Sequence, residues 1–228
     1  MDKTFAVIGL GTFGRQLCET LAEKGATVIA VDNDPSLVDR VKQIVTQAVL
    51  VDATDPDGLS GAPLEEVDVA IVAMGDSVEA SILATALLKK LAVPYVVSRA
   101  ISDLHQQVLR QVGADEVVNI EIDQGVRVAN RLISPDVLDQ FAISSEISVS
   151  ELYVPQAIVG ATLAELDLRN RYQVNVVSVK RNHVDVDEYG NPKRLEQIIF
   201  PGPGDSFERD DTILVVGRND DIERFKQL

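Results

Sequence analysis

The sequence predicts an α/β protein: a doubly wound parallel sheet followed by a crossover helix and a small α+β C-terminal lobe. Three observations carry this reading. Roughly the first half of the chain alternates short β-branched runs with helically spaced segments. Those runs are apolar on successive residues rather than every second one, as expected of strands covered on both faces. Beyond about residue 145 the rhythm changes to sparser strands separated by dense turn chemistry.

The expected strands of the first part are Phe5–Ile8, Thr27–Val31, Ala48–Val51, Val69–Val72, Tyr95–Val97 and Glu116–Asn119. A helix is expected over Ser77–Leu91, with Val78, Ile82, Leu83, Ala86 and Leu87 as its apolar stripe. Asp76 with Glu79 reads as a reciprocal cap at its start, and Pro94 requires it to stop. Another helix fits Leu104–Val112, closed by Gly113. Strand–helix alternation repeated this often means right-handed crossovers with helices on both faces, and six strands suit the two halves of a Rossmann-like domain. A further helix is expected from Asp123 to Ile133, broken at Ser134-Pro135 and resuming from Asp136 to Phe141. Its apolar residues, among them Val126, Leu132, Ile133 and Phe141, exceed what one sheet face covers. Either it crosses to a partner subunit or it connects two domains.

The last part should hold strands at Val149–Val154, Asn175–Lys180, Ile198–Phe200 and Thr212–Val216, with helices near Thr162–Leu168 and Asp220–Gln227. Turns are expected at Asp187–Pro192 and Pro201–Asp205. The expected layout is therefore a nucleotide-binding lobe over 1–122, crossover helices over 123–144 and a C-terminal lobe over 145–228.

Composition narrows the function classes. Hydrophobic residues are 46% and charged residues 25%, ordinary for a globular protein, and no apolar run is long enough for a membrane helix. Acidic residues outnumber basic ones 36 to 21, for a net charge of −15. Nucleic acid is thereby disfavoured as a partner, and anionic lipid as the main binding surface. The single cysteine, Cys18, excludes an internal disulfide framework and a multi-thiolate zinc site; packing within the first helix is its expected role. Met1–Phe5 lacks the features of a signal sequence, so a reducing cytoplasm is the expected setting.

The chemistry concentrates at strand ends. Gly9-Leu10-Gly11-Thr12-Phe13-Gly14 follows the first strand and opens the first helix. Glycines at those places allow a tight turn, backbone approach to a pyrophosphate, and close helix–strand packing, while the helix N-terminus faces the anion. Asp32, with Asn33 after it, ends the second strand, where a carboxylate accepts ribose hydroxyls and repels a 2′-phosphate. Asp52-Ala53 and Met74-Gly75-Asp76 follow the third and fourth strands, and Arg99-Ala100 the fifth. Asp52 reads equally as a nucleoside contact or a helix cap, and Arg99 as a phosphate ligand or the partner of a surface carboxylate. The two histidines, His105 and His183, lack a neighbouring carboxylate arrangement for proton transfer, and neither a phosphate-binding lysine motif nor a nucleophile elbow is present. The pattern is that of a site that binds a nucleotide without consuming it. The alternative is a small NAD-dependent oxidoreductase.

Taken together, Ala6–Gly14, Ala30-Val31-Asp32, Ala53-Thr54, Val72–Gly75, Gly113-Ala114-Asp115, Gly125-Val126, Leu166–Arg169 and Ile213–Gly217 resemble the regulator-of-potassium-conductance (RCK) family. The likeness is to the cytosolic regulatory subunits of Ktr-type and Trk-type potassium transporters and covers almost the whole chain. It implies a homo-oligomer, dimers assembling to an octameric ring, on the inner face of the membrane beneath a potassium-conducting subunit. It implies ATP or ADP, in some members NAD or NADH, in the Rossmann site, with nucleotide exchange reshaping the ring. Carried over by position, Gly9, Gly11 and Gly14 take the phosphates and Asp32 the ribose. Asp52, Ala53, Met74, Gly75 and Asp76 border the nucleoside, with Arg99, Ala100 and His105 near. Glu121 takes the place of a carboxylate holding Mg²⁺ or Ca²⁺ at the dimer interface, and Arg169 and Asn175 fall where some relatives bind cyclic di-AMP. Thr12 departs from the pattern: many members carry Arg there, and threonine offers a hydroxyl but no charge. Arg15 is the neighbouring cation, and ATP and ADP are expected to bind within a few-fold of each other.

Overall fold

A computed structural model describes residues 3–133, 137–186 and 192–228. The chain divides into two compact units, Met1–Asp123 and Gln124–Leu228. In the first, β1 (Thr4–Ile8), β2 (Thr27–Asp32), β3 (Gln47–Leu50), β4 (Val69–Val72), β5 (Tyr95–Arg99) and β6 (Glu116–Val118) form one parallel sheet. Its order, β3-β2-β1-β4-β5-β6, is that of two mononucleotide-binding halves with the reversal between β1 and β4.

Every second strand residue serves one face. Ala6, Ile8, Ile29, Val31, Ala70 and Val72 pack with Leu59 of α3 (Pro56–Ser60) and with Ala84 and Leu88 of α4 (Val78–Lys90). Val7, Val28, Ala30 and Ile71 face the other way, against Cys18 of α1 (Thr12–Glu23) and Val38 and Val41 of α2 (Pro35–Val41). Because both faces are covered, the strands read as continuous apolar runs.

Helix α4 corrects two expectations. Its buried face is Ser81, Ala84, Thr85 and Leu88, while Val78 and Leu83 of the expected stripe are exposed. Small residues let the helix lie close to the sheet, and the buried hydroxyl of Thr85 is bonded to Ser81 O at 2.7 Å and Ser98 Oγ at 2.9 Å. Its cap is Ser77, which is extended and accepts the Ala80 N–H at 3.1 Å, so the Asp76–Glu79 pairing does not form. Helix α5 (Asp103–Gln111) is capped by Ser102 and ends before Gly113, whose φ of +110° a side chain would resist.

Helix α6 (Ile120–Ile133) starts earlier than expected and has no buried residue. It does not resume over Val137–Phe141. Ser134, Pro135 and Asp136 lie outside the described residues, and Val137–Ala142 forms strand β7, paired antiparallel with β8 (Ile147–Tyr153). The spacing of Val137 and Phe141 satisfies a helical repeat and a strand repeat equally, and pairing with β8 decides for the strand. Gln140 Nε2 donates to Ser148 Oγ at 2.9 Å across that pair.

In the second unit β9 (Asn175–Val186), β10 (Pro192–Ile199) and β11 (Thr212–Arg218) complete an antiparallel sheet ordered β10-β9-β11-β8-β7. The turn expected at Asp187–Pro192 falls, except for Pro192, outside the described residues. One expected helix is two, α7 (Leu163–Leu166) and α8 (Leu168–Arg171), broken at Asp167, which adopts φ +45°. With α9 (Asn219–Lys226) they close a core of Leu152, Leu168, Val179, Phe207, Ile213, Ile222 and Phe225. No helix among the described residues is long and apolar enough to cross a membrane.

Candidate functional site

The site forms at the carboxyl edge of the parallel sheet, where the strand order reverses. Gly9 leaves β1 at φ +95°, and a Cβ there would lie 2.7 Å from Met74 Cγ. Gly14 seats α1: a Cβ there would stand 1.8 Å from the Gly9 carbonyl oxygen. Gly11 caps α1 without a side-chain bond, and the first turn of that helix carries no acidic residue. Its leading N–H groups thus lack a side-chain acceptor and, with the helix dipole, face whatever anion enters.

Asp32 closes the opposite side. One carboxylate oxygen accepts the Leu10 N–H at 2.6 Å and the other the Asp34 N–H at 2.9 Å. This carboxylate therefore ties the glycine turn to the loop after β2, a role with no signature in the residue pattern. Each oxygen keeps capacity to accept from a ribose hydroxyl.

These elements enclose a cleft of about 940 Å³. Of the residues expected at the site, Gly9, Gly11, Thr12, Phe13, Asp32, Asn33, Asp52, Ala53, Met74, Gly75, Asp76 and Arg99 line it. Val31, Leu37, Val51 and Ile120 supply further apolar lining, and Gln16, Asp34, Thr54 and Ser77 further polar lining. Gln16 follows Thr12 by one helical turn, a spacing that places both on one face of α1. Asp52 is not a helix cap: it accepts the Thr54 N–H at 2.9 Å and hydroxyl at 2.7 Å, while Asp55 caps α3. Those bonds, with one from the Asn33 side chain, hold its carboxyl below the usual range.

Eight expected residues lie elsewhere. Leu10 and Gly14 support the turn from behind. Ala100 is buried and does not line the cleft. His105, in the first turn of α5, is buried with Nδ1 accepting the Ile101 N–H at 3.4 Å, and burial keeps its pKa below the ordinary imidazole value. Arg15 pairs with Glu19 one turn along α1, at 3.6 Å, instead of entering the cleft. Glu121 is held by Arg99, whose guanidinium lowers its pKa. Among the described residues no three His, Cys, Asp or Glu side chains converge as a metal site. Arg169, on α8, and Asn175, opening β9, are exposed in the second unit. Cys18 is buried, its thiol pushed up to about 12 by desolvation, consistent with a packing role.

The lining charges are Asp32, Asp34, Asp52 and Asp76 against Arg99, the single cation among the described lining residues. The arrangement fits an adenine nucleotide: helix amides for phosphate, a carboxylate for ribose, and an apolar wall for a base.

The TrkA-N domain family matches residues 5–120 and the TrkA-C domain family residues 149–228. The chain is 37% identical over 227 residues to Ktr system potassium uptake protein C of Bacillus subtilis, covering 100% of this chain and 97% of that protein. Among solved structures, the GsuK channel bound to NAD shares the fold with a TM-score of 0.63 at 15% identity, over 100% of this chain. The chain spans 39% of that channel's length. GsuK bound to ADP superposes with a TM-score of 0.51 at 16% identity over 60% of this chain and 36% of that one.

Proposed function

The chain belongs to the TrkA-N domain family and carries a TrkA-C domain after it, and from that premise we propose that it is the nucleotide-binding regulatory subunit of a potassium uptake system. The observation that carries the proposal is the cleft in which the uncapped N-terminus of α1 faces Asp32. An adenine nucleotide is the ligand that uses both. Two structures of similar fold hold NAD and ADP, which supports the same ligand class here. The ligand is bound, not turned over: the lining side chains are carboxylates, one guanidinium, amides, hydroxyls and apolar groups, with His105 and His183 outside.

Regulation follows from differential affinity. A nucleotide that fits one arrangement of an oligomer better shifts the population toward it by that difference, on the order of 1–3 kcal/mol per site. In this reading dimers assemble to an octameric ring against the cytoplasmic side of a membrane potassium-conducting subunit. A divalent cation, Mg²⁺ or Ca²⁺, is held between Glu121, its counterpart in a second copy and the nucleotide phosphates. Cyclic di-AMP at Arg169 and Asn175 is a further ligand of the second unit.

Native mass spectrometry of gently purified protein tests the reading, because retained nucleotide and subunit count appear in one spectrum. A monomer whose melting temperature is unmoved by ATP, ADP and NADH refutes it.

A further inference from the structure

Helix α1 turns two polar side chains into the cleft beyond the glycine turn, Thr12 and Gln16, and neither is charged. At 3.6 residues per turn Gln16 stands about 40° around the helix from Thr12, between Thr12 and Phe13. The centroid of the Phe13 ring lies 5.9 Å from Cζ of Arg99, the single cation among the described lining residues. Gln16 therefore occupies the ridge of α1 that faces the Arg99 side of the cleft. Among the described residues its side chain makes one contact, Nε2 to Thr20 Oγ1 at 3.5 Å, at the outer limit of a hydrogen bond. Released from it, a helical side chain leans toward the N-terminus, which brings the amide over Thr12. The neighbouring cation, Arg15, is paired with Glu19 at 3.6 Å and does not line the cleft.

We infer that Gln16 reads the length of the phosphate chain: its uncharged amide meets the outermost phosphate, and so keeps the cleft from favouring a triphosphate over a diphosphate. The inference rests on the nucleotide reading above and deepens it. With the ribose at Asp32, the first two phosphates fall to the amides at the start of α1. A third continues away from Asp32, into the space between Gln16 and Arg99. It brings further negative charge into a cleft already lined by four aspartates and one guanidinium. An amide donates a hydrogen bond to that phosphate, which replaces one lost from water, but it brings no charge to offset the repulsion. The two effects oppose each other, and the third phosphate gains nothing.

Reversing the sign of charge at this one position separates contact from scaffold. Calorimetry on the full chain in EDTA, with ADP and ATP as probes, reads the side chain without a bridging cation. The native chain should bind the two within about threefold. Gln16→Lys should tighten ATP about tenfold and Gln16→Glu should weaken it about tenfold, each moving ADP less than about threefold. Arg15→Gln changes charge one residue away on a face turned from the cleft, and should leave the ratio of ATP to ADP affinity within about twofold of native. Gln16 is exposed on α1, so all three chains should melt with the native one. A native chain that prefers ATP tenfold overturns the inference alone. So do Lys and Glu variants that shift ATP and ADP equally or not at all, and an Arg15→Gln chain that shifts the ratio as far as they do. If the native chain binds neither probe, the nucleotide reading falls and the inference with it.

Discussion

Gly14→Ala is the sharpest perturbation of the site's scaffold. The added methyl group would stand 1.8 Å from the Gly9 carbonyl oxygen and 3.2 Å from Ala73 Cβ. The first of these is more than an ångström inside any separation that real Cβ atoms show, and the obstacle is backbone. Relief requires α1 to back away from the turn after β1, which strips packing from Leu10 and Cys18, both nearly inaccessible now. Overpacking of this kind costs about 2 kcal/mol. For a unit of this size that lowers the melting temperature by about 6–10 °C. Gly11→Ala is the matched control, because a methyl group there meets nothing within 4 Å and projects into open space at the cap of α1. It should melt within about 2 °C of the native chain yet bind ADP at least tenfold more weakly, since the methyl group stands where phosphate belongs. Thermal melts by circular dichroism with and without ADP read both effects. A Gly14→Ala chain that melts with the native one refutes the packing account, and a Gly11→Ala chain with native ADP affinity refutes the placement of phosphate.

Asp32→Ala should weaken NAD binding at least tenfold and narrow its advantage over NADP, by calorimetry, because the repelling carboxylate is gone; an unaltered ratio excludes the ribose role. Arg181→Met should destabilise the second unit by about 3–5 kcal/mol in urea melts. It leaves the carboxylate of Asp211, 1% exposed, without the guanidinium that donates from Nε and Nη2 at 2.8 and 2.7 Å. Burial depresses the folded-state pKa of His105 below its ordinary 6.5. Its contribution to stability is therefore full above pH 6.5 and is lost as pH falls through the lower folded value. His105→Gln should flatten the stability profile between pH 7 and 5, and a profile of unchanged slope counts against a buried neutral imidazole there.

The parallel sheet was legible because each strand holds consecutive apolar residues and several boundaries carry a glycine, proline or aspartate, as at Gly9, Gly25, Asp52 and Pro94. The cleft was legible to the same degree, since Gly9, Gly11, Asp32 and Met74–Asp76 sit at strand ends, where this topology places its ligands. What escaped depended on partners distant in the chain. Val137–Ala142 has a spacing that serves helix and strand alike, and only the β8 ladder selects the strand. Thr85 sits on the buried face of α4 because its hydroxyl is bonded to the Ser81 carbonyl and to Ser98 Oγ, which an apolar stripe cannot reveal. Pairing with a surface carboxylate was one of the two readings of Arg99, but that the carboxylate is Glu121, 22 positions on, depends on the fold.

Asp32 also bears on how this site can change over generations. One carboxylate both screens the ribose and anchors the amides of Leu10 and Asp34. A substitution that welcomed a 2′-phosphate would unmoor the loop that receives the rest of the ligand. Drift toward the phosphorylated dinucleotide therefore demands a second, simultaneous change that restores an acceptor for the Leu10 N–H, a barrier that single-step variation does not readily cross.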